Sequence, residues 1–319
     1  YIFLLNVGND LALAALLLFF KLKLLTFMLK IIESKSHALT HKIIHSGLLL
    51  ISISIDHGEE SKFSKWKCAP KLYFIIPRIG YLLSLIDTIQ DYYASIDKEF
   101  YNLIENTFSW FEYDGLVINS QFPVGILFDK YHKSNDSVSF NIKLVLQYNN
   151  SNKNNRKAPF FSEENSVFNN NLIKIITNNI KLSQTVMFGD CRKLQMMNKK
   201  DYNELFDSIY SLSKTTGEYE KIIHRLFGSA NEIYFNTKNI PVKIHVKNES
   251  FLRSFKKDIN NQLIEIKDIL NHFKFETNVS LDSNKVIFHG VALPLNTPLI
   301  FLTIFCPYID GIVQLVIKD

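Results

Sequence analysis

Residues 47–148 and 239–319 carry the same succession of patterns, and this repetition constrains the fold more than any other feature of the chain. In the first stretch, Gly47 to Ile55 (GLLLISISI) alternates and is rich in β-branched residues, which predicts a strand. Lys71 to Pro77 (KLYFIIP) predicts a second strand, ended by its proline, and the two make a hairpin across the polar stretch Asp56 to Lys67. From Ser84 to Ile104, Leu85, Ile89, Tyr92, Tyr93 and Ile96 recur at three- and four-residue spacing, the signature of an amphipathic helix. Phe108 to Tyr113 (FSWFEY) predicts a third strand and Asp114-Gly115 a turn. Pro123 to Tyr131 predicts a short helix with proline at its start, and Val138 to Tyr148 a closing strand.

The second stretch repeats the order with little identity. Pro241 to Val246 and Phe251 to Phe255 predict a hairpin, and Leu263 to Phe273 a helix with Ile266, Ile269 and Leu270 inward. Lys285 to His289 predicts a strand before the turn residue Gly290, Pro298 to Phe305 a short helix and Ile312 to Ile317 the last strand. Hairpin, helix, strand, short helix, strand is the β-grasp, or ubiquitin-like, order, with the usual right-handed crossover from hairpin to third strand.

Between the two, Asn149 to Lys157 (NNSNKNNRK) is a polar, low-complexity linker, and the residues after it are helical in pattern with no strand alternation. Helices are predicted at about Asn165 to Leu182, Lys199 to Leu212 and Gly217 to Leu226, with Asp201 in an N-cap region. The expected fold class is therefore α+β: two β-grasp domains, 43–148 and 239–319, flanking a helix-rich domain at 160–238, with 149–159 as linker.

Residues 1–42 form an N-terminal extension of a different kind. Its longest uninterrupted apolar run is Leu11 to Phe20, half of what a spanning helix needs, and Lys21, Lys23 and Lys30 interrupt its continuation. The run has no Ala-x-Ala-like cleavage site after it and no basic residue before it, as a signal peptide would require. The opening on Tyr1 reads as a fragment or an imperfect start. Three readings stay open: a helical extension packed on the body, a disordered leader, or a membrane-associated segment.

Charge and cysteine usage narrow the function classes. The net charge of +5 is a mild excess spread along the chain, without the basic face that nucleic-acid binding uses, so no nucleic-acid partner is expected. Cys68, Cys191 and Cys306 lie far apart, with no CxxC pair, which points away from a disulfide framework or zinc site and towards a reducing, cytosolic compartment. No Gly-rich phosphate loop, HExxH or GxSxG occurs. His37, His41 and His45 share a helix face without a carboxylate or cysteine at ligand spacing and read as solvated. Pairing Cys191 with His224 as thiol and imidazole has no nucleophile motif behind it. A binding or structural protein is expected, without catalytic residues, cofactor or metal.

Three ordered motifs then carry a resemblance. YFIIPRIGYLLSLIDTIQDYY supplies Tyr73, Pro77, Arg78, Tyr81 and Leu82; FSWFEYDG supplies Trp110, Phe111, Glu112, Tyr113 and Gly115; PVGILFD supplies Pro123, Gly125, Leu127, Phe128 and Asp129. Near the C-terminus His289, Gly290, Pro294, Thr297, Pro298, Leu299 and Leu302 add a fourth. Over about residues 43–319 the chain resembles the autophagy protein 5 family. The resemblance implies two ubiquitin-like domains flanking a helical one, and a non-enzymatic scaffold in autophagosome formation. It implies three partners: the ubiquitin-like modifier autophagy protein 12, the autophagy protein 16 helix and, transiently, the machinery that attaches autophagy protein 8 to lipid. It also implies a cytoplasmic location with peripheral contact at the phagophore membrane.

The same resemblance implies an acceptor lysine for the modifier. The family pattern of a helix ending in lysine, a loop with Gly and Lys, then Met and a Lys-x-Asp-x-x-x-Leu helix falls on NNIKLSQTVMFGDCRKLQMMNKKDYNELF. It selects Lys181, with Gly189, Lys193, Met197, Asp201 and Leu205 in register and Lys174 and Lys193 as competitors. Leu182-Ser183-Gln184 replaces the acidic, Ala-rich context usual there, which leaves both covalent and non-covalent association open. For the partner helix, Gly125 and Asp129 with Arg78 are expected: a small residue admits a close approach and a charge offers one ion pair. Two other readings are a ubiquitin-like adaptor with an unrelated partner and a membrane-anchored protein using residues 11–29.

Overall fold

The computed structural model describes residues 47–56, 70–96, 107–133, 139–148, 163–164, 168–210, 216–247, 249–277, 285–305 and 307–318. The expected linker at Asn149 to Lys157 and the three N-terminal histidines lie outside them.

Leu48–Asp56 forms β1 and Leu72–Pro77 forms β2, paired antiparallel with Leu50 opposite Ile75. The alternation sends Leu49, Ile51 and Ile53 into the core and leaves Leu48, Leu50, Tyr73 and Ile75 exposed. A 3-10 turn at Leu82–Leu85 leads into α1, Ile86–Ile96. Leu85, Ile89 and Tyr93 are buried, but Tyr92 and Ile96 face solvent, so the apolar stripe is narrower than the sequence pattern. The expected continuation to Ile104 lies outside the described residues.

Thr107–Tyr113 forms β3 and turns through Asp114 (φ 50°) and Gly115 (φ 74°), the two left-handed residues that a tight hairpin demands. It returns as β4, Leu116–Ile118, which is too short to show alternation in the sequence. Val124–Tyr131 forms α2 and Phe140–Tyr148 forms β5. The strand order is β2-β1-β5-β3-β4, with β1 and β5 parallel at the centre.

The absence of strand alternation after residue 160 does not exclude a strand. Glu163–Glu164 forms β6, which pairs with Phe108 and Ser109 of β3 through its backbone. Five helices come next: α3 at Phe168–Phe188, α4 at Arg192–Gln195, α5 at Lys199–Tyr210, α6 at Thr216–Phe227 and α7 at Ala230–Asn236. Helix α3 runs six residues past the expected end at Leu182, because Met187 continues the buried series of Leu172, Ile176 and Ile180. Helix α7 opens on a capping box in which Ser229 accepts from the Glu232 N–H and Glu232 accepts from the Ser229 N–H.

The second sheet repeats the first. Asn239–Val246 (β7) and Glu249–Lys256 (β8) form its hairpin, and Asp258–Ile259 (β9) pairs with Gln262–Leu263 (β10). Ile266–Thr277 is α8, Lys285–Phe288 is β11, Val291–Ala292 is β12, Leu299–Phe305 is α9 and Val313–Lys318 is β13. The order β12-β11-β13-β7-β8 reproduces that of the first sheet, with β7 and β13 as the central parallel pair. Both short helices also start in the same way. The Val124 N–H donates to Gly80 O at 2.7 Å, and the Leu299 N–H donates to Ile264 O at 2.8 Å. A loop carbonyl thus satisfies a free helix-start donor where no side chain caps it.

Candidate functional site

Lys181 stands on the exposed face of α3, seven residues after Lys174. Seven residues are two helical turns, so the two amines share a face about 10 Å apart along the axis. Among the described residues neither makes an ion pair. Lys193 differs: its Nζ lies 3.8 Å from Glu232 and 5.6 Å from the Phe188 ring centre. Lys181 does not end its helix, as the sequence pattern suggested, but lies inside it. Leu182 and Met196, the latter 82% exposed, add uncovered apolar surface to the helical module.

Ser183 and Gln184 explain why the residues after Lys181 depart from an acidic context. Their exposures are 0% and 1%. Gln184 Nε2 donates to Leu226 O at 2.8 Å and its Oε1 accepts the Leu194 N–H at 3.3 Å, joining α3 to α4 and α6. The single hydroxyl proton of Ser183 is shared between Asn179 O within α3 and Asp310 O just before β13. Gly311 (φ 70°) packs its backbone on the Phe227 ring and on Ser183 Cβ. A charged residue at either position would be stranded in this contact.

The expected partner-helix residues lie between the two sheets. Arg78 Nη2 forms an ion pair with Asp129 and donates to Gly125 O at 3.2 Å. Its guanidinium lies 5.6 Å from the Phe128 ring centre and packs against Gly290 (φ 84°) of the second module. Asp129 is only 5% exposed. Gly125 does admit a close approach, but to its own chain: a Cβ there would stand 2.8 Å from Arg78 O. Gly125 and Asp129 therefore present no face to solvent, and with Arg78 they form a latch between modules. Lys318 Nζ adds a second link, donating to His132 O at 2.5 Å. Burial raises the Asp129 pKa, against the opposing pull of Arg78 and of the Gly290 N–H.

A polar cluster that no sequence motif signalled fills the junction. Lys243 Nζ lies 4.5 Å from the Phe122 ring centre, and His245 meets the same ring edge-on at 4.7 Å. His245 Nε2 lies 3.2 Å from Gln314 Oε1 and its Nδ1 lies 2.9 Å from Ser250 Oγ, which puts the imidazole proton on Nε2. Gln314 Nε2 donates to Asp310 Oδ2 at 3.3 Å, Asn179 Nδ2 to the same oxygen at 3.4 Å and the Ile312 N–H to Asp310 Oδ1 at 3.1 Å. Burial pushes His245 down to about 3, helped by Lys243 and Lys130, and pushes Asp310 up to about 6. Burial, with Lys243 nearby, also draws Lys130 down to about 8. First module, helical module and second module all contribute to this cluster.

Among the described residues no hydrogen bond joins Cys191 to His224, and no group of His, Cys, Asp or Glu is arranged to hold a metal ion. No helix among them is long and apolar enough to cross a membrane.

Comparison with known proteins places this architecture. Residues 44–146 match the family model described as Autophagy protein ATG5, UblA domain, and residues 239–317 match Autophagy protein ATG5, UblB domain; together they cover more than half of the chain. Autophagy-related protein 5 of Caenorhabditis elegans is 22% identical over 270 residues, 82% of this chain and 89% of that protein. Autophagy protein 5 of Pichia angusta is 20% identical over 283 residues, 86% of this chain and 94% of that protein. The crystal structure of Kluyveromyces marxianus Atg5 superposes with a TM-score of 0.65 at 18% identity, over 88% of this chain and 100% of that one, and shares the fold. The chain belongs to the autophagy protein 5 family, and its role is in autophagy.

Proposed function

We propose that the chain is a non-enzymatic autophagy scaffold that binds or is conjugated to autophagy protein 12, pairs with the autophagy protein 16 helix and promotes lipid attachment of autophagy protein 8. It works in the cytoplasm, peripherally at the phagophore membrane. The observation that carries this reading is Lys181: an exposed amine inside a 21-residue helix, without an ion-pair partner among the described residues. An isopeptide bond needs a lysine that can shed its proton and reach an activated thioester supplied by another enzyme. The acceptor chain then needs only to hold the amine outward, which a helix tied down by Ser183 and Gln184 does.

Mass spectrometry of the endogenous protein tests the covalent reading. The expected result is a branched peptide at Lys181, lost in Lys181→Arg. A branch confined to Lys174 or Lys193 overturns the assignment, and modifier bound without any branch overturns the covalent form. Failure of the full chain to bind an autophagy protein 16 helix overturns the scaffold itself.

A further inference from the structure

Among the described residues, strand β8 is an outer edge of the second sheet, paired on one side only, with β7. The Lys257 N–H donates to Lys238 O at 3.1 Å, which fixes the hydrogen-bonding phase of this pair. With Asn239 opposite Lys256 and Pro241 opposite Ser254, Lys256 and Ser254 fall at positions whose own N–H and C=O point away from β7. Pro241 stands where no N–H is needed towards β8, and the pairing with β13 begins only at Val242, which together explain a proline inside this strand.

Beside this edge, between β8 and α8, opens a cavity of about 430 Å³. Phe255, Ile264 and Phe273 line its apolar part, and Ile259, 57% exposed, stands at its rim. Arg253 and Lys256 bring positive charge, both exposed. The acidic side chain in the lining, Asp268, is turned to its own helix start, where its Oδ2 accepts the Glu265 N–H at 3.0 Å.

We propose that this groove binds an extended peptide of alternating apolar and acidic residues as an added strand on β8. Outward-pointing backbone groups at Ser254 and Lys256 supply the ladder, and the two-residue period of a strand divides the side chains. Apolar residues of the peptide enter the cavity over Phe255 and Phe273. Acidic residues between them lie on the opposite face beside Lys256, and a flanking carboxylate reaches Arg253. Charge on an edge strand also protects it from self-pairing, because a second copy would bring Arg253 and Lys256 against like charges. Edge protection alone gives no reason for an open apolar cavity next to the strand, and the cavity favours a peptide occupant. Neither the Lys181 surface nor the Arg78 latch takes part.

The test is a fluorescence-anisotropy titration of the full chain with a labelled nine-residue peptide of alternating isoleucine and aspartate, with a control peptide carrying lysine for aspartate. Saturable binding of the acidic peptide is expected, at least tenfold tighter than the control. Arg253→Glu with Lys256→Glu, and separately Ile259→Asp, each weaken it at least tenfold while the thermal midpoint stays put. These are exposed positions, so loss of fold does not mask the result. Absence of saturable binding, equal binding of both peptides, affinity unchanged in the variants, or a concentration-dependent dimer abolished by Lys256→Glu overturns the proposal.

Discussion

The Arg78 guanidinium forms an ion pair with Asp129 of its own module and packs against the Gly290 backbone of the other, so one buried cation holds the two sheets in register. Removing either member strands the other in a nearly dry contact. Asp129→Ala and Arg78→Ala are each expected to lower unfolding free energy by about 3–5 kcal/mol, and the double variant Arg78→Met with Asp129→Leu by much less than their sum. Urea titrations of the three variants check this.

Gly125→Ala forces a methyl against the Arg78 carbonyl, a backbone atom with little room to move. A loss of about 1–3 kcal/mol is expected, read as a lower thermal midpoint. An unchanged midpoint would remove the steric reason given for this glycine.

Gln184→Ala leaves the Leu194 N–H and the Leu226 C=O without their buried partner. The expected cost is about 1–3 kcal/mol, with faster hydrogen exchange at the Leu194 amide. Lys181→Arg, in contrast, changes only an exposed cation and should move stability by less than about 0.5 kcal/mol.

Asp310 and His245 give pH responses of opposite sign. The folded Asp310 carboxyl is raised from 3.8 to about 6, so its contribution to stability is complete below pH 3.8 and is lost as pH rises through about 6. The folded His245 imidazole is lowered from 6.5 to about 3, so its contribution is complete above pH 6.5 and is lost as pH falls towards 3. Between about pH 4 and 6 the two oppose each other. Asp310→Asn should therefore lose more stability than the parent chain on acidification from pH 7 to pH 4.5, and His245→Gln should lose less. Urea midpoints at the two pH values decide it.

The strands were legible where apolar, β-branched or aromatic residues ran for five positions or more, as in GLLLISISI and KLYFIIP, and each short helix where a proline opened it. β4, β6 and α4, of two to four residues, are too short to hold two full periods of the pattern they would have to display. α7, at seven residues about two helical turns, is likewise too short to establish a 3.6-residue repeat. Ser183 and Gln184 fell beyond the expected helix end at Leu182 because sequence does not distinguish a solvated hydroxyl or amide from one bonded inside a core. Gly125 and Asp129 read as a docking face for a related reason: a small residue beside a charge announces a close contact without saying which chain supplies it. The cluster of Lys130, Lys243, His245, Asp310 and Gln314 left no local pattern, since its members meet only through tertiary packing.

In both modules the central strand is the last made of the five that form the β-grasp core: β5 lies between β1 and β3, and β13 between β7 and β11. During synthesis each hairpin and its helix must therefore wait, half-built, for a strand still to come. Ser183 waits as well, because the carbonyl that receives its hydroxyl is 127 residues downstream. The helical module is consequently committed to its final packing only when the second sheet closes. Contacts of such separation slow folding and couple it to completion of the chain. A chain interrupted before β13 lacks part of the seat of α3, and the helix that bears Lys181 gains its full set of contacts only once that strand is in place.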